Sequence, residues 1–164
     1  MTPFKHILVP TDFGEPADRA LDLALDLAPK FGSKVTLLHA TWLPPYYYAA
    51  YAEGLAWPTD ELEGQANKEL AAAVTKARAR YTNVEGTLVS GEPWERILQA
   101  VTDRGTDLIV MGTHGRRGLS RVLLGSVAEK IVRLSPIPVL TISGKADQEA
   151  KEKALAQASG QKKD

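Results

Sequence analysis

Short runs of aliphatic and β-branched residues alternate along the chain with longer segments whose apolar residues recur at helical spacing. This alternation is typical of α/β proteins built on a parallel sheet. The predicted strands cover residues 6–11, 34–40, 84–89, 108–111 and 139–142, and the predicted helices cover residues 15–31, 60–80, 93–103 and 127–134. A chain of 164 residues is long enough to bury a core, so we expect one domain over residues 1–144 and a polar tail over residues 145–164.

The polarity of each strand indicates its place in the sheet. Residues 108–111 are all apolar, which predicts a central strand buried on both faces. Residues 84–89 alternate between apolar and polar, which predicts a strand near the edge. Pro136 and Pro138 donate no ladder hydrogen bonds, so the last strand is expected to lie at an edge or to begin there. Gly32 is expected to end the first helix.

A glycine-rich segment, residues 112–126, joins the fourth strand to the fourth helix. No carboxylate occurs between Asp107 and Glu129, whereas four basic or titratable residues do: His114, Arg116, Arg117 and Arg121. A buried strand that leads through a glycine-rich loop into a helix N-terminus is the arrangement by which α/β proteins hold phosphate groups. The segment therefore predicts an anion site, with a tight corner between strand and helix as the alternative.

The glycine-rich segment matches neither of two common phosphate-binding fingerprints. It lacks the Gly-Lys-Ser/Thr ending of a Walker loop, and it lacks the Gly-x-Gly-x-x-Gly of a dinucleotide-binding loop. Ser126 and Glu129 have the spacing of a capping box, in which a serine hydroxyl and a glutamate satisfy the first amides of a helix. We therefore expect Ser126 to cap the fourth helix.

Composition excludes several classes of function. Lys plus Arg and Asp plus Glu both number 20, and a net charge of zero argues against a general binder of nucleic acids or membrane surfaces. The absence of cysteine excludes disulfides and thiolate chemistry. No apolar run is long enough to span a bilayer, and the N-terminus has no signal-peptide pattern, so a cytoplasmic protein is expected.

The histidines do not indicate a metal site or a catalytic triad. His6 and His39 lie in predicted strands, where the simplest expectation is a structural role, and no two histidines have metal-ligand spacing. The Gly-x-Ser-x-Gly turn of many hydrolases is also absent. No catalytic residue is predicted.

Two separated motifs resemble the universal stress protein family in its ATP-binding branch. They are Gly112-x2-Gly115-x9-Gly125-Ser126 and the first strand, Ile7-Leu-Val-Pro-Thr-Asp12. The resemblance extends over about residues 3 to 143. It implies a Rossmann-like three-layer sandwich of the adenine nucleotide alpha hydrolase-like type, with a five-stranded parallel sheet in the order 3-2-1-4-5. It further implies a homodimer and an ATP site at the carboxyl ends of the strands.

The resemblance also implies which residues contact the nucleotide. Those expected around the triphosphate and ribose are Gly112, Thr113, His114, Gly115, Arg116, Gly125 and Ser126, with the Val127 amide at the helix start. Those expected near the adenine, the ribose or the metal are Pro10, Thr11, Asp12, Ala40 and Met111. At positions 112, 115 and 125 the lack of a side chain would let the backbone approach the phosphates.

Asp12 has two interpretations that the sequence leaves open. It could cap the first helix or a turn, as aspartate commonly does. It could also be a ligand of Mg²⁺, which prefers one or two carboxylates together with phosphate oxygens. The family resemblance favours ATP with Mg²⁺ as the bound group.

An aromatic segment over residues 42–58 holds six of the eleven aromatic residues of the chain. Long aromatic loops usually serve binding or an interface. It could be a lid that packs on its own domain or a surface for a protein partner. Because the segment follows the second strand, it could also form a gate over the nucleotide.

The leading hypothesis is an ATP-binding sensor or regulator in a stress response that forms a homodimer through residues 138–143. The alternatives are a slow ATPase or autophosphorylating phosphotransferase, with Thr113 and Ser120 as acceptors, and an interaction adaptor with weak nucleotide binding.

Overall fold

A computed structural model describes residues 4–43, 59–114 and 124–144. The strands are β1 His6–Pro10, β2 Lys34–Thr41, β3 Val84–Ser90, β4 Leu108–Gly112 and β5 Val139–Ile142. The helices are α1 Glu15–Phe31, α2 Thr59–Arg78, α3 Pro93–Arg104 and α4 Ser126–Leu134. No helix within these ranges is long and apolar enough to cross a membrane.

All five strands are parallel and form one sheet in the order β3-β2-β1-β4-β5. The predicted fold and strand order are therefore confirmed. β1 lies in the middle, with Ile7 paired to Val35 on one side and to Leu108 on the other. β4 is an interior strand whose first four residues are buried, and β3 and β5 are the edges, as their sequences predict.

Alternate residues of the strands bury their side chains in two layers. On one face, Ile7, Val9 and Val35 pack with the buried residues of α1 and α2, among them Ala20, Ala24 and Leu70. On the other face, Leu8, Leu38 and Ile109 pack with α3 and α4 through Ile97, Val101 and Ile131. Strands buried on both faces by helices are the expected result of a parallel sheet with crossover connections.

Left-handed glycines end two of the helices. Gly32 has φ +66° and donates its N–H to the Ala28 carbonyl, which confirms that it ends α1. Gly105 ends α3 with φ +60°. Glycine adopts this conformation without the steric penalty that a Cβ would add.

The predicted capping box at the start of α4 is wrong. Gly125 is the N-cap and has no side chain that could cap the helix, and Ser126 is the first helical residue. The reason is that the Gly125 N–H donates to the Thr113 carbonyl at 2.8 Å, so that the extended residue before the helix is Gly125. The first helical bond then runs from the Glu129 N–H to the Gly125 carbonyl.

Two helix boundaries also differ slightly from the sequence pattern. α2 ends at Arg78 because the Arg80 and Tyr81 N–H groups both turn back to the Ala77 carbonyl. α3 continues one residue further, to Arg104. Such shifts are normal at helix ends.

Candidate functional site

The turn between β1 and α1 is held by hydrogen bonds at the carboxyl edge of the sheet. The Thr11 N–H donates to the Leu38 carbonyl at 2.8 Å, and the Thr11 hydroxyl accepts from the Phe13 N–H at 2.9 Å. Asp12 Oδ1 accepts from the Gly14 N–H at 3.0 Å. Asp12 therefore caps this turn, whereas the N-cap of α1 is Gly14.

Phe13 and His39 form a support beneath the same turn. Phe13 has φ +60°, which for a bulky side chain costs of order 1 kcal/mol and persists only where the surroundings enforce it. Its ring lies 4.5 Å from the His39 ring, and His39 Nδ1 donates to the Thr11 carbonyl at 2.7 Å. This support fixes the backbone that carries Asp12, and neither residue was among the predicted site residues.

Gly112 at the end of β4 has a packing reason to be glycine. A Cβ at this position would lie 2.8 Å from the Pro16 Cβ and 2.9 Å from the Pro16 carbonyl carbon. The missing side chain therefore allows α1 to approach β4. The expectation that it makes room for phosphate is not needed to explain this residue.

Backbone hydrogen bonds join the two ends of the glycine-rich segment. The Thr113 N–H donates to the Ile142 carbonyl at 2.8 Å, and the Thr113 carbonyl accepts from Gly125. A Cβ on Gly125 would lie 3.0 Å from that carbonyl oxygen, so glycine permits the close contact. The result is that the start of α4 lies beside the end of β4.

The N-terminus of α4 presents backbone donors at this edge. Its hydrogen-bond ladder starts at Glu129, so the N–H groups of Ser126, Val127 and Ala128 precede it. Such groups, together with the helix dipole, favour an anion. Ser126 is exposed and Val127 is half-buried.

The remaining predicted residues are distributed around the same edge. Pro10 and Met111 are buried at the ends of β1 and β4, and Ala40 is half-buried near the end of β2. His114 Nδ1 lies 3.1 Å from the Thr113 hydroxyl. Gly115 and Arg116 lie outside the described residues, as do Arg117 and Arg121.

The strand order brings the predicted residues together at one place. β1 connects to β2 on one side of the sheet, while β4 lies on its other side. The carboxyl ends of β1 and β4 therefore flank a topological switch point, where open α/β sheets bind ligands. We call the group Pro10–Asp12, Met111–His114 and Gly125–Val127 the switch-point site; Ala40 lies one strand away.

The arrangement of acidic residues restricts the ways in which a metal ion could bind near this edge. Within the described ranges no group of three or more His, Cys, Asp or Glu residues could hold a metal. Burial raises the pKa of Asp18 on α1; the charge of Lys76 opposes this shift, and Asp22 adds to it. An ion at Asp12 would therefore take its other ligands from phosphate oxygens or water, a set that suits Mg²⁺.

Comparison with known proteins identifies the family. The sequence profile described as "Universal stress protein family" matches residues 3–143. Universal stress protein MJ0531 of Methanocaldococcus jannaschii is 31% identical over 140 residues, covering 85% of this chain and 82% of that protein.

Solved structures agree with the profile. The structure of protein MJ0577 of the same organism superposes with a TM-score of 0.70 at 31% identity, covering 87% of this chain and 97% of that one. A universal stress protein in complex with cAMP superposes with a TM-score of 0.62 at 25% identity, covering 86% and 98%. On its sequence, strand order and these relatives, the chain belongs to the universal stress protein family.

Proposed function

We propose that this chain binds ATP with Mg²⁺ at the switch-point site and acts in the cytoplasm as a nucleotide-dependent sensor or regulator of a stress response. The observation that carries the proposal is the convergence of the β1 end, the β4 end and the α4 N-terminus at the switch point. A relative with the same fold binds cAMP, which supports an adenine nucleotide as the ligand.

Each part of the switch-point site has a role in this proposal. The first N–H groups of α4 bind phosphate oxygens, with Gly115 and Arg116 of the glycine-rich segment completing the phosphate site. Pro10, Thr11 and Met111 border the base and ribose, and the Ala40 backbone lies on the adenine side. Asp12, whose Oδ1 accepts from the Gly14 N–H, is the proposed Mg²⁺ ligand. When bound, Mg²⁺ neutralises part of the phosphate charge.

The sheet edge formed by β5 supports a homodimer through residues 138–143. Leu140 on β5 is 39% exposed, and Val132 and Leu134 at the end of α4 are 50% and 48% exposed. An unpaired edge strand with apolar side chains is favourable for pairing with a second copy.

The aromatic segment over residues 42–58 lies mostly outside the described residues, although Trp42 at its start is 45% exposed. We propose that the aromatic segment is the gate over the nucleotide or the surface for a protein partner. We also propose that the domain covers residues 1–144.

Calorimetric titration with ATP, with and without Mg²⁺, tests the proposed ligand. We expect saturable binding that Mg²⁺ strengthens and that Asp12→Asn makes less dependent on Mg²⁺, because the variant lacks the charged ligand. Asp103→Asn, on α3, is the matched control and should bind as the natural protein does. Absence of binding at millimolar ATP would reject the proposal.

Phosphate release measured on the same samples separates the sensor from the alternative enzyme. The sensor binds ATP without appreciable turnover. Steady release of phosphate that disappears in Gly115→Val would instead establish a slow ATPase.

A further inference from the structure

A second groove lies away from the switch-point site, between β3 and α3. It has a volume of about 580 Å³ and is lined by Val89, Ser90, Arg96, Gln99, Ala100, Asp103 and Arg104. Its apolar lining comes from Val89 and Ala100, and most of its polar lining comes from one side of α3. None of these residues has been predicted to contact the nucleotide.

Arg96 is the distinctive residue of this groove. Of the side-chain atoms that the structure describes, Arg96 Nε is the one that is shielded from solvent without a hydrogen-bond partner. Leaving such a donor unpaired costs about 1–3 kcal/mol, so an acceptor that reached the guanidinium would stabilise it.

Two neighbours hold the Arg96 guanidinium in place. Its Nη1 donates to Gln99 Oε1 at 2.6 Å. On its other side lies Gly91, where a Cβ would be 2.5 Å from Arg96 Nε. Gly91 has φ +131°, which a side chain would oppose, and its N–H donates to the Thr41 carbonyl at 2.9 Å. The guanidinium is therefore preorganised against a glycine, which lowers the entropy cost of binding a ligand.

The charges around the groove favour a ligand with a single negative charge. Among the described residues, no carboxylate lies within ion-pair distance of Arg96, whereas Arg104 is 3.2 Å from Glu85 Oε1 and donates to Thr87 at 2.8 Å. Asp103 also lines the groove, and its repulsion of a ligand grows with the negative charge of that ligand. One uncompensated guanidinium suits one carboxylate.

We propose that this groove is a second ligand site that binds a small monocarboxylate with a short apolar stem. The carboxylate pairs with the Arg96 guanidinium, and the stem packs on Val89 and Ala100. The groove uses none of the switch-point residues, although Val89 pairs with Ala40 across β3 and β2.

The direct test is a titration with hexanoate, followed through the Nε–H resonance of Arg96 and the backbone amide of Ser90 by NMR. Saturating ATP with Mg²⁺ is present, so that the switch-point site does not compete. We expect a saturable shift of both signals with hexanoate and a weaker response to acetate. Hexanol has the same stem without the charge and should leave the Arg96 signal unmoved.

Variants show whether Arg96 is responsible. Arg96→Gln should weaken hexanoate binding about ten-fold or more, because a charge-assisted pair is lost. Arg133→Gln, an exposed arginine on α4, should leave the affinity unchanged. In Gly91→Ala the charge is kept but the guanidinium is displaced, and we expect weaker binding there as well.

The proposal is overturned if the Arg96 Nε–H signal does not respond to hexanoate or responds equally to hexanol. It is also overturned if Arg96→Gln binds hexanoate as tightly as the natural protein. Each of these outcomes is readable whether or not the chain binds ATP, because the same titration can be run without nucleotide.

Discussion

At the scale of single residues, His6 shows how a polar group is accommodated inside the sheet. It is 8% exposed, and its Nδ1 lies 3.1 Å from the Arg104 carbonyl, so this nitrogen carries the hydrogen. Its Nε2 lies 2.7 Å from the Thr36 hydroxyl, which in turn lies 3.0 Å from Glu85 Oε1. The Thr36 hydroxyl has one hydrogen, so it donates either to Nε2 of the neutral ring or to Glu85.

The charges that face this histidine oppose one another. Burial lowers the pKa of His6, and the hydrogen bond with the Arg104 carbonyl raises it. The charge of Lys34 lowers this pKa, and the charges of Glu85 and Asp107 raise it. The net result is a lowered pKa. Burial alone would raise the pKa of Glu85, but hydrogen bonds from Lys34 and Thr36 and the charges of Lys34 and Arg104 lower it. The neutral histidine is therefore the form that suits the folded state.

We predict that His6 makes the free energy of unfolding decrease as the pH drops. Above the unfolded pKa of about 6.5 the ring is neutral in both states, and its contribution is fully present. As the pH falls below this value, the unfolded state takes up the proton first, and stability is lost until the folded pKa is passed. Urea denaturation at pH 7.5 and 5.5 measures the change.

The matched variant is His6→Asn, which keeps an N–H near the Arg104 carbonyl but does not titrate. Its free energy of unfolding should fall less between the two pH values than that of the natural protein. An equal fall in both proteins would show that His6 is not responsible.

At the scale of elements, hydrophobic spacing determines most of what can be predicted. The five strands and four helices follow from runs and periodicities that each element carries within itself, and the edge position of β5 follows from its prolines. Features that depend on contacts between distant segments could not be predicted. The left-handed residue Phe13 packs its ring on His39 of another strand, and the need for glycine at position 112 depends on Pro16.

The capping box shows the same limit at a helix end. Ser126 and Glu129 have the right spacing, but the hydrogen bond between Gly125 and Thr113 decides which residue precedes α4. The sequence therefore placed the switch-point residues on the correct elements without showing why particular glycines are required there. Gly115 and Arg116 stay predictions of the family resemblance.

Two glycine substitutions test the packing of elements. Gly112→Ala should destabilise the fold by about 1–3 kcal/mol, because its Cβ would overlap Pro16. Gly64→Ala, within α2 and with nothing within 4 Å of the added Cβ, should stabilise it by about 0.5–1 kcal/mol. Chemical denaturation measures both. If the two variants changed the free energy of unfolding in the same direction, the contact between α1 and β4 would not be the reason for glycine at position 112.

At the scale of the whole molecule, the sheet has two unlike edges. The strand at one edge, β3, makes seven register pairs with β2 and borders the groove that contains Arg96. The strand at the other edge, β5, is four residues long and lies near the exposed side chains of Val132 and Leu134. An apolar edge of this kind is where a second copy of the chain would be expected.

We predict that Leu140→Lys converts the proposed dimer into a monomer, because a charge would be buried at the centre of the paired strands. Leu62→Lys is the control, since Leu62 is 45% exposed on α2, away from β5. Sedimentation velocity distinguishes the species. A natural protein that sediments as a monomer at all concentrations, or a dimer that survives Leu140→Lys, would contradict the proposed interface.

The central claim is that the switch-point site binds a nucleotide. Hydrogen–deuterium exchange with and without ATP and Mg²⁺ tests this claim most directly. The account predicts slower exchange in peptides covering residues 10–14, 111–114 and 125–129, and unchanged exchange at the amino ends of β1 and β3, where His6 and Glu85 lie. Unchanged exchange in all three switch-point peptides at saturating ATP, or protection confined to other parts of the sheet, would contradict it.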